Sequence, residues 1–531
     1  MYEYEIDFIQ KGEPRKALES LLSQVPMRSQ DPALYVNMAI AFEDLGEFSR
    51  AERGYRFVLD RWPNSVEAMN NLANFLVRTG RVDEAATWAE KAVELTPDGY
   101  CLHALGMVRI EQLRIDDALI YFKAAAELAG TAHNPAAARA WSDFISYALH
   151  TGFDEAAHRD WVKRFGETPI EPTINWDGKR PLRVGFVGDC FRKCAVASML
   201  YQVMEALDPE KITPCIYSDV PVRLDGQDAV KWGFKCNVLN RGGVWWDIAT
   251  NSDDAVAAQI RRDKIDVIVD LQGHKQRSRL GALCQNPRPA PIMLGYIGYA
   301  GDTFITENID QAVGWAYRPA DDAPPVTPLP MLKNGHVTFG SVHRPAKINA
   351  QSAQCWGRIL SATPNARLRV TVNGGEQNKS ARGTLVGHGI PGDRLELIPR
   401  PPTHAGYLAL ADSIDIHLDT FPYGGGATTC DMLWQGVPTL VMVGGKYSMG
   451  ESIMRSVGLR LFVATSEDDF VNAAQRRIDA AELFAIRSGL RDAMKPLLDG
   501  AMVARRMEEL CRSRAESVRA STQKVVAECC G

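Results

Sequence analysis

Leu418-Asp419-Thr420-Phe421-Pro422-Tyr423-Gly424-Gly425-Gly426-Ala427-Thr428-Thr429-Cys430-Asp431 is the stretch that decides how the C-terminal part of this chain folds. The alternating residues before it, 413–418, read as a strand. Three glycines then form a turn, and 428–436 reads as the start of a helix. A strand, a glycine loop and a helix N-terminus in series make an anion site. Glycines such as Gly425 and Gly426 let the backbone approach a phosphate, and the unpaired amides of the first helical turn point at it. The helix dipole adds about half a positive charge. Thr428 and Thr429 bring hydroxyls to the same spot. Asp431, in the first turn, reads either as a capping carboxylate or as an acceptor for ribose hydroxyls. The expected ligand is phosphorylated.

Working outward, 337–340, 368–372, 395–398 and 439–443 read as further strands, with a helix over 349–360. Lys347 lies in a post-strand loop, where a lysine can neutralise a phosphate leaving group; the plain alternative is a solvated surface charge. An earlier set of strands fits 182–187, 213–217 and 265–271, alternating with helices at 195–207 and 253–262. Alternation of this kind predicts parallel sheets with crossover helices. Ligands bind beyond the carboxyl ends of such strands. Two loops of the earlier set fall there, 188–194 and 272–275. His274 follows a strand end, so it is expected to face a cleft and contact sugar or phosphate or assist proton transfer; the alternative is a structural histidine. Gly298-Tyr299-Ala300-Gly301 reads as a flexible loop or an ordinary turn. Proline-rich stretches at 168–181 and 310–334 read as connections.

The first third is decided by a repeat. Gly12, Gly46 and Gly80 are 34 residues apart, as are Ala17, Ala51 and Ala85, with Ala118 following at 33. Each unit reads as two amphipathic helices with glycine at the turn. The period resembles the tetratricopeptide repeat. Stacked units expose a concave surface suited to a protein segment. Asn37, Asn70, Asn71 and Asn74 are candidate groove residues, or solvated polars. Residues 141–165 are expected to close the array.

Bulk properties exclude several classes. The 531 residues are too many for one core. The formal net charge of -5 gives no support to nucleic-acid binding. No apolar run approaches the ~18 residues of a membrane span, and the acidic start lacks the features of a signal peptide. The 11 cysteines are scattered and suit reduced thiols. The expected location is the cytoplasm, without metal or bound cofactor.

Taken together, four marks resemble the O-linked N-acetylglucosamine transferase family and its bacterial relatives. They are Asp415-Ile416-His417-Leu418-Asp419-Thr420-Phe421-Pro422-Tyr423, the run from Thr428 to Pro438, Val337-Thr338-Phe339-Gly340-Ser341 with Lys347, and Arg288-Pro289-Ala290-Pro291 leading to Gly298-Tyr299-Ala300-Gly301. The resemblance covers nearly the whole chain. It implies an α/β fold with an α-helical N-terminal part: a repeat solenoid at 1–167, a linker at 168–181, and two Rossmann-like domains in a GT-B arrangement, at 182–330 on the acceptor side and 331–531 on the donor side. It implies an inverting, metal-independent transfer of a sugar from a nucleotide donor to Ser or Thr of a protein delivered by the repeats. UDP-sugars are the favoured donors. Some relatives use GDP-fucose, and repeat-linked bacterial members modify flagellin, whose sugars can come from CMP-activated donors. Carried over, Lys347 matches the lysine on the diphosphate and His404 a histidine beside the base. Thr428 and Thr429 lie where the family binds phosphate, Asp431 where it binds ribose, and His274 matches a histidine of many bacterial relatives.

Departures from the family pattern are equally specific. Cys194 stands where relatives commonly carry a histidine facing the acceptor, and Gly424-Gly425 replaces an asparagine-glycine pair. The replaced loop residues Cys190 and Cys194 keep a second reading open, a repeat scaffold with a degenerate transferase region. A nucleotide-sugar epimerase on the same fold is a third, disfavoured because a free sugar nucleotide needs no docking array. Self-association of the array is also open.

Overall fold

The computed structural model describes residues 8, 13–130, 135–152, 154–166, 173–220, 229–275, 278–299, 303–443 and 449–530. Its N-terminal part is a stack of helix pairs whose period is written in their caps. Asp31, Ser65 and Asp98 each open the first helix of a unit, accepting from the amides of Ala33, Ala68 and Cys101. Gly46 and Gly80 turn between the paired helices with φ of +77° and +81°. In the next unit the turn carries no glycine, and Leu113 takes the left-handed conformation instead. The periodic alanines Ala17, Ala51, Ala85 and Ala118 are fully buried where helices cross. Asn37 and Asn70 are buried too, bonded to Ala33 O and Cys101 Sγ, so these two do not form a groove ladder. Two closing helices, Pro135–Ala148 and Glu155–Phe165, end the array.

Two six-stranded sheets follow, all parallel. The first contains β1 (Leu182–Gly188), β2 (Ile212–Ser218), β3 (Trp245–Asp247), β4 (Val267–Asp270), β5 (Ile292–Gly295) and β6 (Glu307–Asn308), in the order β3-β2-β1-β4-β5-β6. The second contains β7 (Thr338–Ser341), β8 (Arg367–Val372), β9 (Leu395–Pro399), β10 (Ile416–Leu418), β11 (Thr439–Met442) and β12 (Val463–Ala464), in the order β12-β11-β10-β7-β8-β9. Both are doubly wound, and in both the order reverses beside the first strand, which places the crevice at the β1/β4 and β7/β10 ends. Ser413 is in a 3-10 turn rather than the expected strand, which begins only at Ile416.

The domain boundaries read from the sequence need one correction. The last helix, Gly500–Cys530, does not stay with the second domain but runs back across the first. Glu508 accepts from Asp208 N at 2.7 Å and Lys211 Nζ at 3.1 Å, and a Cβ on Gly500 would meet Gln202 Cβ at 2.6 Å. No helix among the described residues is long and apolar enough to cross a membrane.

The array is docked against the second domain. Asp83 accepts from Lys379 N, and Asn378 donates to Glu111 O at 2.8 Å. Gly80 meets Gly374 so closely that a Cβ on Gly80 would lie 2.8 Å from Gly374 Cα, whereas a Cβ on Gly46 would meet nothing within 4 Å. The two repeat glycines therefore make an internal comparison. Gly46→Ala should cost about 1 kcal/mol, the left-handed penalty alone, and Gly80→Ala should cost clearly more, because it also wedges the array from the domain. Thermal melting of the two variants measures the difference.

Candidate nucleotide-binding cleft

A cleft of about 980 Å3 opens between the two sheets. The first domain lines it with Arg192, Lys193, Cys194 and Tyr201, and the second with Arg344, Arg400, His404, Thr428 and Asp431; Arg318, on the connection between the domains, completes the wall. The second-domain groups follow the carboxyl ends of strands. Arg344 and Lys347 sit on the loop after β7, Arg400 and His404 after β9, and the glycine stretch after β10.

The glycine stretch leads into the helix Ala427–Trp434. Its first recorded turn closes from Cys430 N to Gly426 O at 3.1 Å, which leaves the earlier amides pointing out of the helix end. The Thr429 hydroxyl is fully buried there without a hydrogen-bond partner among the described residues. Thr428 and Tyr407 both line the cleft. The Gly425 amide, however, is not free for a ligand: it donates to Asp419 Oδ1 at 2.7 Å. Gly425 is instead required by packing, since a Cβ there would lie 2.5 Å from Thr429 Oγ1 and 2.8 Å from His343 Cε1. Gly426 faces across to the first domain, with Met199 Cε 3.8 Å from where its Cβ would be.

Lys347 lies behind this loop rather than on the open wall. Its amine donates to Gly424 O at 2.7 Å and stands 4.5 Å over the Tyr423 ring. Burial lowers it to about 8, against the pull of Asp419 and with further lowering by Arg344 and Lys275. Burial likewise raises Asp431 to about 7, although the Tyr317 hydroxyl donates to it at 2.7 Å. His404 stacks on Tyr407 with centroids 5.9 Å apart, and burial and Lys193 hold its ring below the ordinary histidine value.

Two expected site residues are elsewhere. His274 is fully buried, its Nδ1 3.2 Å from Ser142 Oγ and its ring packed on Trp161 and His158 of the closing helix. Tyr299 is 5% exposed, and its hydroxyl bonds His158 Nε2 at 2.7 Å. Both are held under the closing helices and do not line the cleft. The strand-end position is as expected; the helices that cover it come from the array. Cys194 does line the cleft, but burial pushes its thiol up, so at neutral pH it is a thiol and not a thiolate base. Arg344, Arg400, Arg318 and Tyr317 were not anticipated; Arg400 and Arg344 share post-strand loops with His404 and Lys347, and that position was the available signal.

Comparison with known proteins agrees with this layout. Residues 36–100 match the tetratricopeptide repeat family. A lysine-to-methionine mutant of the O-GlcNAc transferase of Thermobaculum terrenum superposes with a TM-score of 0.78 at 25% identity, covering 93% of this chain and 99% of its own. The probable UDP-N-acetylglucosamine–peptide N-acetylglucosaminyltransferases SPINDLY of Hordeum vulgare and Arabidopsis thaliana are 34% and 32% identical, over 67% and 69% of this chain. The chain belongs to the O-linked N-acetylglucosamine transferase-like family. It spans 41% of the length of the barley relative and 43% of the Arabidopsis one. Within the O-linked N-acetylglucosamine transferase-like fold, two parallel-sheet domains enclose one cleft and the repeat array docks against the second of them.

Proposed function

We propose that the chain is a protein glycosyltransferase that takes a nucleotide-sugar in this cleft and transfers the sugar to Ser or Thr of a protein held on the repeat array. The observation that carries the reading is the convergence of the helix end at Thr428, Lys347 behind its loop, and Asp431 and His404 on one wall of a cleft whose other wall is the first domain. The names of the relatives favour UDP-N-acetylglucosamine as donor; GDP- and CMP-sugars are the rivals. The acceptor hydroxyl attacks the anomeric carbon from the first-domain side, with inversion and without a metal. The bond to the leaving phosphate breaks, the acceptor's hydroxyl proton passes to a phosphate oxygen or to water, and the new charge falls on the helix-end amides and Lys347. Since Cys194 is protonated and His274 is buried, leaving-group stabilisation carries most of the catalysis.

Intact-mass measurement of Ser/Thr-rich acceptor proteins incubated with the chain and UDP-N-acetylglucosamine tests it. A gain of one sugar per modified site is expected; no gain with UDP-, GDP- or CMP-sugars overturns it. His404→Ala, which removes a stacking surface worth about 1–2 kcal/mol, should raise the KM for the donor roughly ten-fold with kcat nearly unchanged. The scaffold reading draws on one observation, the thiol at Cys194, and predicts firm acceptor binding with no nucleotide binding at all.

A further inference from the structure

A run of rings leads from the array to the glycine stretch. Phe122, 1% exposed in the helix Ile115–Leu128, stacks on Tyr147 of the first closing helix with centroids 4.6 Å apart. His150 follows in the turn after that helix, its ring 6.2 Å from Tyr147 and 4.8 Å from Tyr423, perpendicular to the latter. Lys347 Nζ stands 4.5 Å from the centroid of the Tyr423 ring, and the same amine donates to Gly424 O at 2.7 Å. Polar ties run beside the rings. Asn349, 6% exposed, donates to His150 O at 2.9 Å and to Phe421 O at 2.8 Å, so one side-chain amide joins the closing turn of the array to the start of the glycine stretch. The Ser352 hydroxyl accepts from Phe421 N at 3.1 Å. Ala346, beside Lys347 in the 3-10 turn Pro345–Lys347, packs in the array's cluster of Ile110, Phe122 and Tyr147.

The array therefore holds Lys347 twice: its backbone turn through Ala346, and its amine through a ring that His150 meets. Lysine is a charge on a flexible four-carbon stem. Fixing that charge before the reaction is what makes it effective at a leaving group. The Tyr423 ring supplies the fixing contact, because an ammonium is attracted to an aromatic face. Tyr423 itself precedes three glycines, whose backbone restrains it little, and a perpendicular ring is a favourable neighbour to steady it. The His150 ring suits this task because it is neutral. Burial first, then Lys347 and Arg344, lower it to about 3. It gives Tyr423 an aromatic partner without repelling the amine beyond.

We propose that His150 is a positioning residue for the transfer: it steadies Tyr423, Tyr423 steadies the Lys347 amine, and the repeat array is thereby a working part of the donor site. The inference rests on the nucleotide-sugar reading above, with Lys347 as its phosphate cation, and deepens it. Transfer to a Ser/Thr-rich acceptor protein, from whichever of the UDP-, GDP- and CMP-sugars wild type accepts, is followed by intact mass in the full chain. The variants are His150→Leu, His150→Phe, Tyr423→Leu and the double leucine variant. In His150→Leu, which fills the space without a ring, kcat and kcat/KM should fall together by about ten-fold, with the donor KM nearly unchanged. His150→Phe keeps a neutral ring and should return to within about two-fold of wild type. The double variant should be no slower than Tyr423→Leu alone, since both changes act through one contact. Melting of His150→Leu and wild type should nearly coincide. An unchanged kcat in His150→Leu, a His150→Phe as slow as His150→Leu, or losses that add in the double variant overturn the proposal. So does a His150→Leu chain that does not fold, which marks the residue as structural. Wild-type transfer in any of these cases keeps the nucleotide-sugar reading intact. If wild type transfers from none of these sugars, the reading itself fails and the proposal with it.

Discussion

Lys347→Ala is expected to lower turnover by about a hundred- to a thousand-fold, the usual scale for removing one preorganised group that meets charge developing on a leaving oxygen. Two losses combine. The cation goes, and so does the bond from Nζ to Gly424 O that ties the β7 loop to the glycine stretch. Lys347→Arg keeps charge but not shape, and should recover only part. The pH dependence gives an independent check. Because burial has lowered Lys347 to about 8 in the free protein, its charge is present below that value and is lost as pH rises through it. A bound phosphate favours the charged form. So kcat/KM should fall above pH ~8, while kcat, which reports the loaded protein, should hold to higher pH. A flat kcat/KM profile between pH 7 and 9.5 would remove Lys347 from this role.

Asp419→Ala should be the most damaging single change to the second domain. The carboxylate is 2% exposed and accepts two backbone amides of the glycine stretch, at 2.9 and 2.7 Å, with His343 Nε2 at 2.9 Å. Truncation leaves the two buried amides unmatched, costing about 2–4 kcal/mol, and frees the loop that shapes the helix end. Burial alone would raise the Asp419 carboxyl. The His343 ring 2.9 Å away, with His417 and Lys347, outweighs it and holds the pKa below the ordinary carboxylate value. The sign follows: a depressed folded pKa contributes stability above the unfolded value of about 3.9, and that contribution disappears as pH falls through the folded value. Urea unfolding of wild type and Asp419→Asn should therefore differ fully at neutral pH and converge in acid.

Much of this was legible in the sequence, for identifiable reasons. The repeat showed because its period is carried by residues with one job each, such as the left-handed glycines and the buried alanines. The strand-loop-helix unit at 418–431 showed because glycine, threonine and the preceding apolar run mark it locally. What stayed hidden depends on distant packing. The pairing of Tyr317 with Asp431, and of His343 with Asp419, joins residues with no local signature. Strand-end logic placed the loop of His274 correctly but not the direction of its side chain, which the closing helices decide. Short edge strands such as Glu307–Asn308 are too brief to show alternation. The return of the last helix to the first domain is likewise a matter of which surface is left uncovered.

The account stands or falls on a phosphate-holding cleft, and calorimetric titration of the full chain with UDP, GDP and CMP, alongside Lys347→Ala, tests that most directly. The account predicts saturable binding of one of these nucleotides to wild type and its loss in the variant. Binding of none, or binding that Lys347→Ala leaves untouched, would contradict it.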